Sequence, residues 1–441
     1  MSKHISIKSG FSSVLLWSVI SAAFIGPGTV TTCAKAGSQF GTKLIWALTF
    51  STFATIVLQE LVARLTMATG KNLGQLIAGK YQSVNTKWIS VLLFIAVSFG
   101  CAAYETGNII GAIAGLKLIY PLHSGIYAIL IVAACFLILY KGTIAQVAQI
   151  MGVLVFIMGL VFFYLMWKVD LNWWQLIKDS IIPGIPASSG TLLIGLVGTT
   201  IVPYNLFLAS GMKVNQSLSE MRWGIVIAVF LGGLISIAIL ISGLLVTGNF
   251  SYQAVFQAIK IKAGFMAAYG FAIGLFAAGF SSAITAPLAA AICAKSLLGE
   301  KSVRLYSSHI NFYMITWIVI LAIGAFFSLI NIQPIPAIIA AQGINGLLLP
   351  IVCVALYMCI KDKQLLAAGY RHSAQWDWIY LIIIWVTCFL GIYNIQQALI
   401  KSLDAAARYT EFKTILIAAV LSSILILFVK QDYKKNQLYH P

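Results

Sequence analysis

Twelve stretches of this chain are each apolar over a length that crosses a bilayer as a helix, and that pattern leaves few folds open. A helix needs roughly 17 to 25 apolar residues to traverse a ~30 Å hydrocarbon core. The runs cover 13–36, 44–68, 88–116, 125–140, 147–167, 191–212, 223–247, 264–298, 311–329, 335–360, 378–395 and 414–429. Inside lipid every backbone N–H and C=O must be paired within the protein. The expected fold is therefore an all-α integral membrane protein with about twelve transmembrane helices. The eighth run, 264–298, is long enough to conceal a loop. No cleavable signal peptide is expected, because the apolar stretch after Lys3 and Lys8 exceeds a signal's apolar core.

Composition excludes the alternatives. With 61% hydrophobic and 9% charged residues, the chain is neither an ordinary soluble domain, at about 25% charged, nor disordered. The 7 cysteines lie mostly inside apolar runs without a CxxC pair, which makes them packing residues rather than metal or redox groups. A net charge of +17 would suggest nucleic acid in a soluble protein, but here Lys and Arg sit in short loops between runs, which points to topology. With the N-terminus inside, most of the 28 basic residues fall on the inner side, so both termini are expected in the cytoplasm of a cell with this protein in its inner or plasma membrane. No nucleophile-base set or phosphate-binding loop is apparent, so neither an enzyme activity nor a cofactor is expected.

Charge at membrane depth costs several kcal/mol and persists for function or packing. Of the 11 acids only Glu60 and Glu105 fall well inside predicted spans. Arg64, one turn after Glu60, offers it an ion pair. Glu105 has no basic neighbour in sequence and is the stronger candidate for a proton or cation site. The histidines (His4, His123, His309, His372, His440) fall in loops, tails or at a segment edge, which leaves no histidine relay at mid-membrane. Trp173, Trp174, Trp376 and Trp378 suit an interfacial belt.

Two spans are interrupted. The first contains Gly26-Pro27-Gly28-Thr29-Val30-Thr31-Thr32 and the sixth Gly198-Thr199-Thr200-Ile201-Val202-Pro203-Tyr204-Asn205. Proline removes helical hydrogen bonds in both, and paired interruptions in two halves of a transporter point to its binding site. The free groups expected there are backbone N–H, the hydroxyls of Thr29, Thr31, Thr32, Thr199, Thr200 and Tyr204, and the amide of Asn205. Half-helix N-termini favour an anion or a carboxylate. Lys35, two turns after the first break, would add positive potential if it faced the vestibule, or would snorkel to the surface.

At these residues the chain resembles the NRAMP family of divalent-metal transporters. The stretches that carry the resemblance are "GPGTVTTCAKAGSQFG", "LQELVARLTMATGKNLGQL", "VPYNLFLASG" and "FAIGLFAAGFSSAIT". The resemblance implies a leucine-transporter-like fold: residues 1–170 forming five helices, 171–361 forming five more in inverted orientation, and 362–441 holding two peripheral helices and a cytoplasmic tail. It also implies alternating access around a site between the first and sixth helices.

The departures from the family fall on the chemistry. Where its first-helix motif reads Asp-Pro-Gly-Asn, this chain has Gly26-Pro27-Gly28-Thr29, and where its sixth-helix motif reads Met-Pro-His-Asn, this chain has Val202-Pro203-Tyr204-Asn205. Asn205 survives. The family's third-helix Asp and Glu align with Glu105 and Asn108, and its tenth-helix Gln with Gln342. Dehydrated Mn²⁺ or Fe²⁺ needs an anionic ligand that the breaks no longer supply. The substrate-site candidates are Gly26, Gly28, Thr29, Thr199, Thr200, Val202, Tyr204, Asn205 and Gln342, with Asn205 and Gln342 as weak metal ligands. Candidates for coupling to H⁺ or Na⁺ are Glu105, Asn108 and the eighth-helix hydroxyls Ser281, Ser282 and Thr285. The expected function is transport of a small inorganic ion across the lipid bilayer, a divalent cation such as Mg²⁺ rather than tightly held Mn²⁺ or Fe²⁺. A small anion or carboxylate carrier and a non-transporting receptor or channel are the alternatives. No nucleic-acid partner is expected.

Overall fold

A computed structural model describes residues 7–80, 87–142, 144–212, 216–246, 250–299, 311–330, 333–361, 374–402, 413, 415–424 and 427. His4, His309, His372 and His440 lie outside these residues. The described chain is helical throughout, in the order α1 (Ile7–Phe24), α2 (Pro27–Phe40), α3 (Ile45–Thr69), α4 (Leu73–Lys80), α5 (Lys87–Ile119), α6 (Ser124–Lys141), α7 (Ile144–Trp167) and α8 (Trp173–Ile181). It continues with α9 (Gly190–Thr200), α10 (Pro203–Gly211), α11 (Leu218–Gly243), α12 (Tyr252–Ala263), α13 (Phe265–Leu298), α14 (Phe312–Leu329), α15 (Pro334–Lys361) and α16 (Ala374–Ser402). A further helix covers 415–424.

Every one of the twelve apolar runs carries a helix. Among the described residues eight spans, with α9 and α10 counted as one, are long and apolar enough to cross a membrane, and the bent pair of α1 and α2 makes a ninth. The apolar stretches described in α7, α15 and the last helix are shorter. The eighth run conceals no loop: α13 is continuous over 34 residues with Pro287 inside it. At 1.5 Å per residue α13 is about 50 Å long, more than the hydrocarbon core, so it tilts, kinks or extends past that core. Ile129, Phe156 and Phe230 stand exposed on outward faces, the surface a bilayer would cover. Trp173, Trp174, Trp376 and Trp378 are exposed as well. All seven cysteines are unbridged and buried.

Both expected breaks are present. α1 and α2 meet at 55°, with Gly26 extended (φ −101°, ψ −175°) and Pro27 at the first position of α2. Proline suits that position because its missing N–H would be unpaired anyway. α9 ends at Thr200 and α10 begins at Pro203, with Val202 extended between them.

Small residues set the helix spacing around the first break. Gly107, Gly111 and Gly115 recur every fourth residue along one side of α5, a pattern that lets helices approach closely. A Cβ on Gly111 would lie 2.2 Å from the ring of Pro27, and one on Gly115 would lie 2.6 Å from the Phe276 nitrogen of α13. Gly111→Ala is therefore expected to push α2 off α5 and destabilise the protein by about 1–3 kcal/mol, the range for overpacking. The check is thermal unfolding of the purified protein, and an unchanged Tm would show that the break tolerates displacement.

Glu60 pairs with Arg64 at 3.4 Å as the spacing predicts, and also with Arg222 of α11 at 2.8 Å. The second partner is 162 residues away, so only the fold reveals that this acid ties α3 to α11.

Candidate functional site

The two breaks meet. The hydroxyls of Thr29 on α2 and Thr199 on α9 lie 2.7 Å apart. Gln342 reaches in from α15, its Oε1 accepting from Thr32 at 2.6 Å, and its Nε2 lies over Gly28, where a Cβ would be only 2.6 Å away. Gly26 is covered from the other side by Ser282 of α13 and Asn108 of α5. The absence of side chains at 26 and 28 is what lets these polar groups sit against the backbone of the break.

A broken helix leaves its last carbonyls without intrahelical donors. Here hydroxyls supply them. Ala22 accepts from Ser282 at 3.3 Å and Ser281 at 3.5 Å, Ala23 from Tyr204 at 3.2 Å, and Phe24 from Thr29. The end of α9 is treated the same way: Gly198 accepts from Tyr104 at 3.1 Å and Thr200 from Thr55 at 3.2 Å. Removing one such O–H strands a buried carbonyl, which costs about 1–3 kcal/mol. Tyr204→Phe is accordingly expected to lower the Tm of the purified protein, while Phe207→Leu on the same helix, which removes no hydrogen bond, serves as the control for packing loss.

A second set of polar atoms has no partner. Both side-chain atoms of Asn205, Nε2 of Gln342, Nδ2 of Asn108 and both oxygens of Glu105 make no hydrogen bond, although all four residues are buried. Buried polar groups are ordinarily satisfied, so a group of unsatisfied ones marks a place for a solute or its water. Glu105 is fully buried, with the Asn108 amide in electrostatic reach, and its Cγ would be 2.5 Å from a Cβ on Gly324 of α14. It therefore lies between the first break and α14.

Other candidates are placed differently. The hydroxyls of Thr200 and Thr285 bond back to carbonyls of their own helices, and Val202 is a buried apolar side chain whose carbonyl accepts from the Asn205 N–H. Lys35 is half-buried on α2. Among the described residues no three His, Cys, Asp or Glu side chains gather as a metal cluster. Sequence reasoning passed over Tyr104, Thr55 and Tyr252, the last hydrogen-bonded to Thr31. A hydroxyl in an apolar run is the signal that could have drawn attention to the first two. Tyr252 lies on α12, outside every predicted run.

Helices broken at a buried polar centre define a multi-span transporter fold. The structure is similar to that of a nucleobase-cation-symport-1 family transporter in a closed conformation, with a TM-score of 0.57, 16% identity, and coverage of 96% of this chain and 93% of that one. It is more similar to a mutant of the Eremococcus coleocola manganese transporter, with a TM-score of 0.75, 18% identity, and coverage of 98% and 95%. The chain belongs to the Nramp family, since residues 18–397 match the family model described as natural resistance-associated macrophage protein-like. A relative from Verminephrobacter eiseniae (strain EF01-2), the divalent metal cation transporter MntH, is 23% identical over 401 residues, covering 85% of this chain and 86% of that protein.

Proposed function

We propose that this protein is a secondary transporter that moves a small inorganic ion across a cell membrane by alternating access at its paired breaks. The ion is a divalent cation that keeps much of its water shell, with Mg²⁺ the best fit. The observation that carries this reading is the unsatisfied amide atoms of Asn205 and Gln342, with no thioether or imidazole in the break motifs Gly26–Thr29 and Val202–Asn205. Mg²⁺ dehydrates reluctantly and keeps several of its waters, which amides can hold by hydrogen bonds, whereas thioether and imidazole suit later transition metals. Asn205 and Gln342 are the side chains that would touch the ion or its waters. Coupling is assigned to H⁺ at Glu105, or to Na⁺ beside Ser281 and Ser282. The repeat boundaries at 170 and 361 and cytoplasmic termini belong to the same reading.

A second reading is transport of a small anion. The hydroxyl caps on the break carbonyls favour it, together with the unpaired amide nitrogens of Asn205 and Gln342 and the N-termini of α2 and α10, which begin at the breaks. Reconstituted vesicles with a Mg²⁺-sensitive dye inside decide between them. Saturable Mg²⁺ entry with trans-stimulation is expected, falling about tenfold in Asn205→Ala, the loss of roughly 1.4 kcal/mol of binding. Anion flux without Mg²⁺ entry would select the second reading. Binding without flux, or flux that never saturates, would make the protein a receptor or a channel.

A further inference from the structure

Away from the breaks, α4, α5, α15 and α16 enclose a cavity of about 430 Å³ in which every lining residue is apolar. Leu92 and Ala96 of α5, Pro350 and Val354 of α15, and Cys388 and Ile392 of α16 all line it. Leu92 and Ile351, which both line it, are each 55% exposed on the outer surface of the helix bundle. The cavity therefore opens sideways, toward the layer a bilayer occupies, and hydrocarbon is what would fill it there.

One end of the cavity is basic. The ammonium of Lys80, one turn beyond the lining residue Ile77, donates to the carbonyl of Met358, itself a lining residue, at 3.2 Å. Lys87 opens α5 two residues before the lining residue Ile89, and is exposed. Lys361, three residues beyond Met358, is held by Asp377 of α16, so that carboxylate is already matched. An apolar cleft open to lipid with Lys80 and Lys87 at one mouth has the two-part chemistry of an anionic phospholipid.

We infer that this cleft is a binding site for one anionic phospholipid, with an acyl chain between α5 and α16 and its phosphate at Lys80 and Lys87. The site is independent of the ion-binding breaks. A lipid wedged there would hold α16 to the bundle beside Pro350, which lies inside the continuous helix α15.

Native mass spectrometry of the delipidated full-length protein tests this, with phosphatidylglycerol and phosphatidylcholine of identical acyl chains as probes, and oleate as a third. One tightly held phosphatidylglycerol is expected, in preference to phosphatidylcholine by about fivefold per lysine. Lys80→Gln with Lys87→Gln should bring the two lipids level. Val354→Trp should fill the cleft and abolish the single-lipid adduct for both headgroups while the protein stays monodisperse. Ala355→Leu, a smaller filler, should weaken the adduct if the tryptophan variant fails to fold. An adduct that survives both fillers, equal retention of the two lipids by the native protein, or oleate bound as tightly as phosphatidylglycerol would overturn the assignment.

Discussion

Gly26→Asp combined with Val202→Met is expected to give the protein a saturable Mn²⁺ site. Calorimetry on the native protein should show no micromolar Mn²⁺ binding, since neither break carries a carboxylate or a thioether. The double substitution returns an anionic ligand and a soft one to the cleft beside Asn205, and should tighten Mn²⁺ binding by on the order of a hundredfold, the ~3 kcal/mol of a strong buried charged contact. The backbone allows it. Gly26 and Val202 are both extended, and Asp is among the best residues at the N-cap position that Gly26 holds on α2. The obstacle is Ser282, whose Oγ would lie 2.8 Å from the new Cβ, so Ser282→Ala should be added if the double variant unfolds at lower temperature. Removing Asn205 in the same background should reverse the gain. Micromolar Mn²⁺ binding by the native protein that disappears in Asn205→Ala would show instead that the remaining groups already hold a transition metal.

Glu105→Gln is expected to abolish gradient-driven accumulation while leaving folding and substrate binding intact. The carboxylate is fully buried, makes no hydrogen bond, and abuts α14 at Gly324 rather than a cation. An isolated ionisable group at that depth is expensive and, in transporters, belongs to proton or ion relays. Glutamine keeps the shape and the hydrogen-bonding capacity but cannot cycle between charged and neutral forms. Uptake driven by a proton or sodium gradient should fall at least about tenfold, with equilibrium exchange retained. Unchanged accumulation with an unchanged dependence on pH and on sodium would assign Glu105 to packing, and coupling would then rest on Ser281 and Ser282 against the carbonyl of Ala22.

Much of the architecture is legible in the linear pattern because its causes are local. An apolar run of given length makes a spanning helix, and a proline between glycines or hydroxyls makes a break, whatever lies elsewhere in the chain. A helix in each apolar run, breaks at Pro27 and Pro203, and the Glu60–Arg64 pair all follow from residues within a turn or two of one another. The loss of the family's ligands at 26, 29 and 202 is likewise read from identity alone.

What could not be read there is pairing over long separations. Nothing local says that Thr29 will meet Thr199, that Tyr204 will cap Ala23, that Tyr104 will cap Gly198, or that Arg222 will join Glu60. Hydroxyls and amides in apolar runs look alike in sequence, yet their roles divide according to whether a distant helix brings an orphan carbonyl within reach. The Asn205 amide, Nε2 of Gln342, Nδ2 of Asn108 and the Glu105 oxygens are left unpaired, because a buried hydrogen bond depends on atoms arriving within about 3 Å, a condition only the assembled helices can meet.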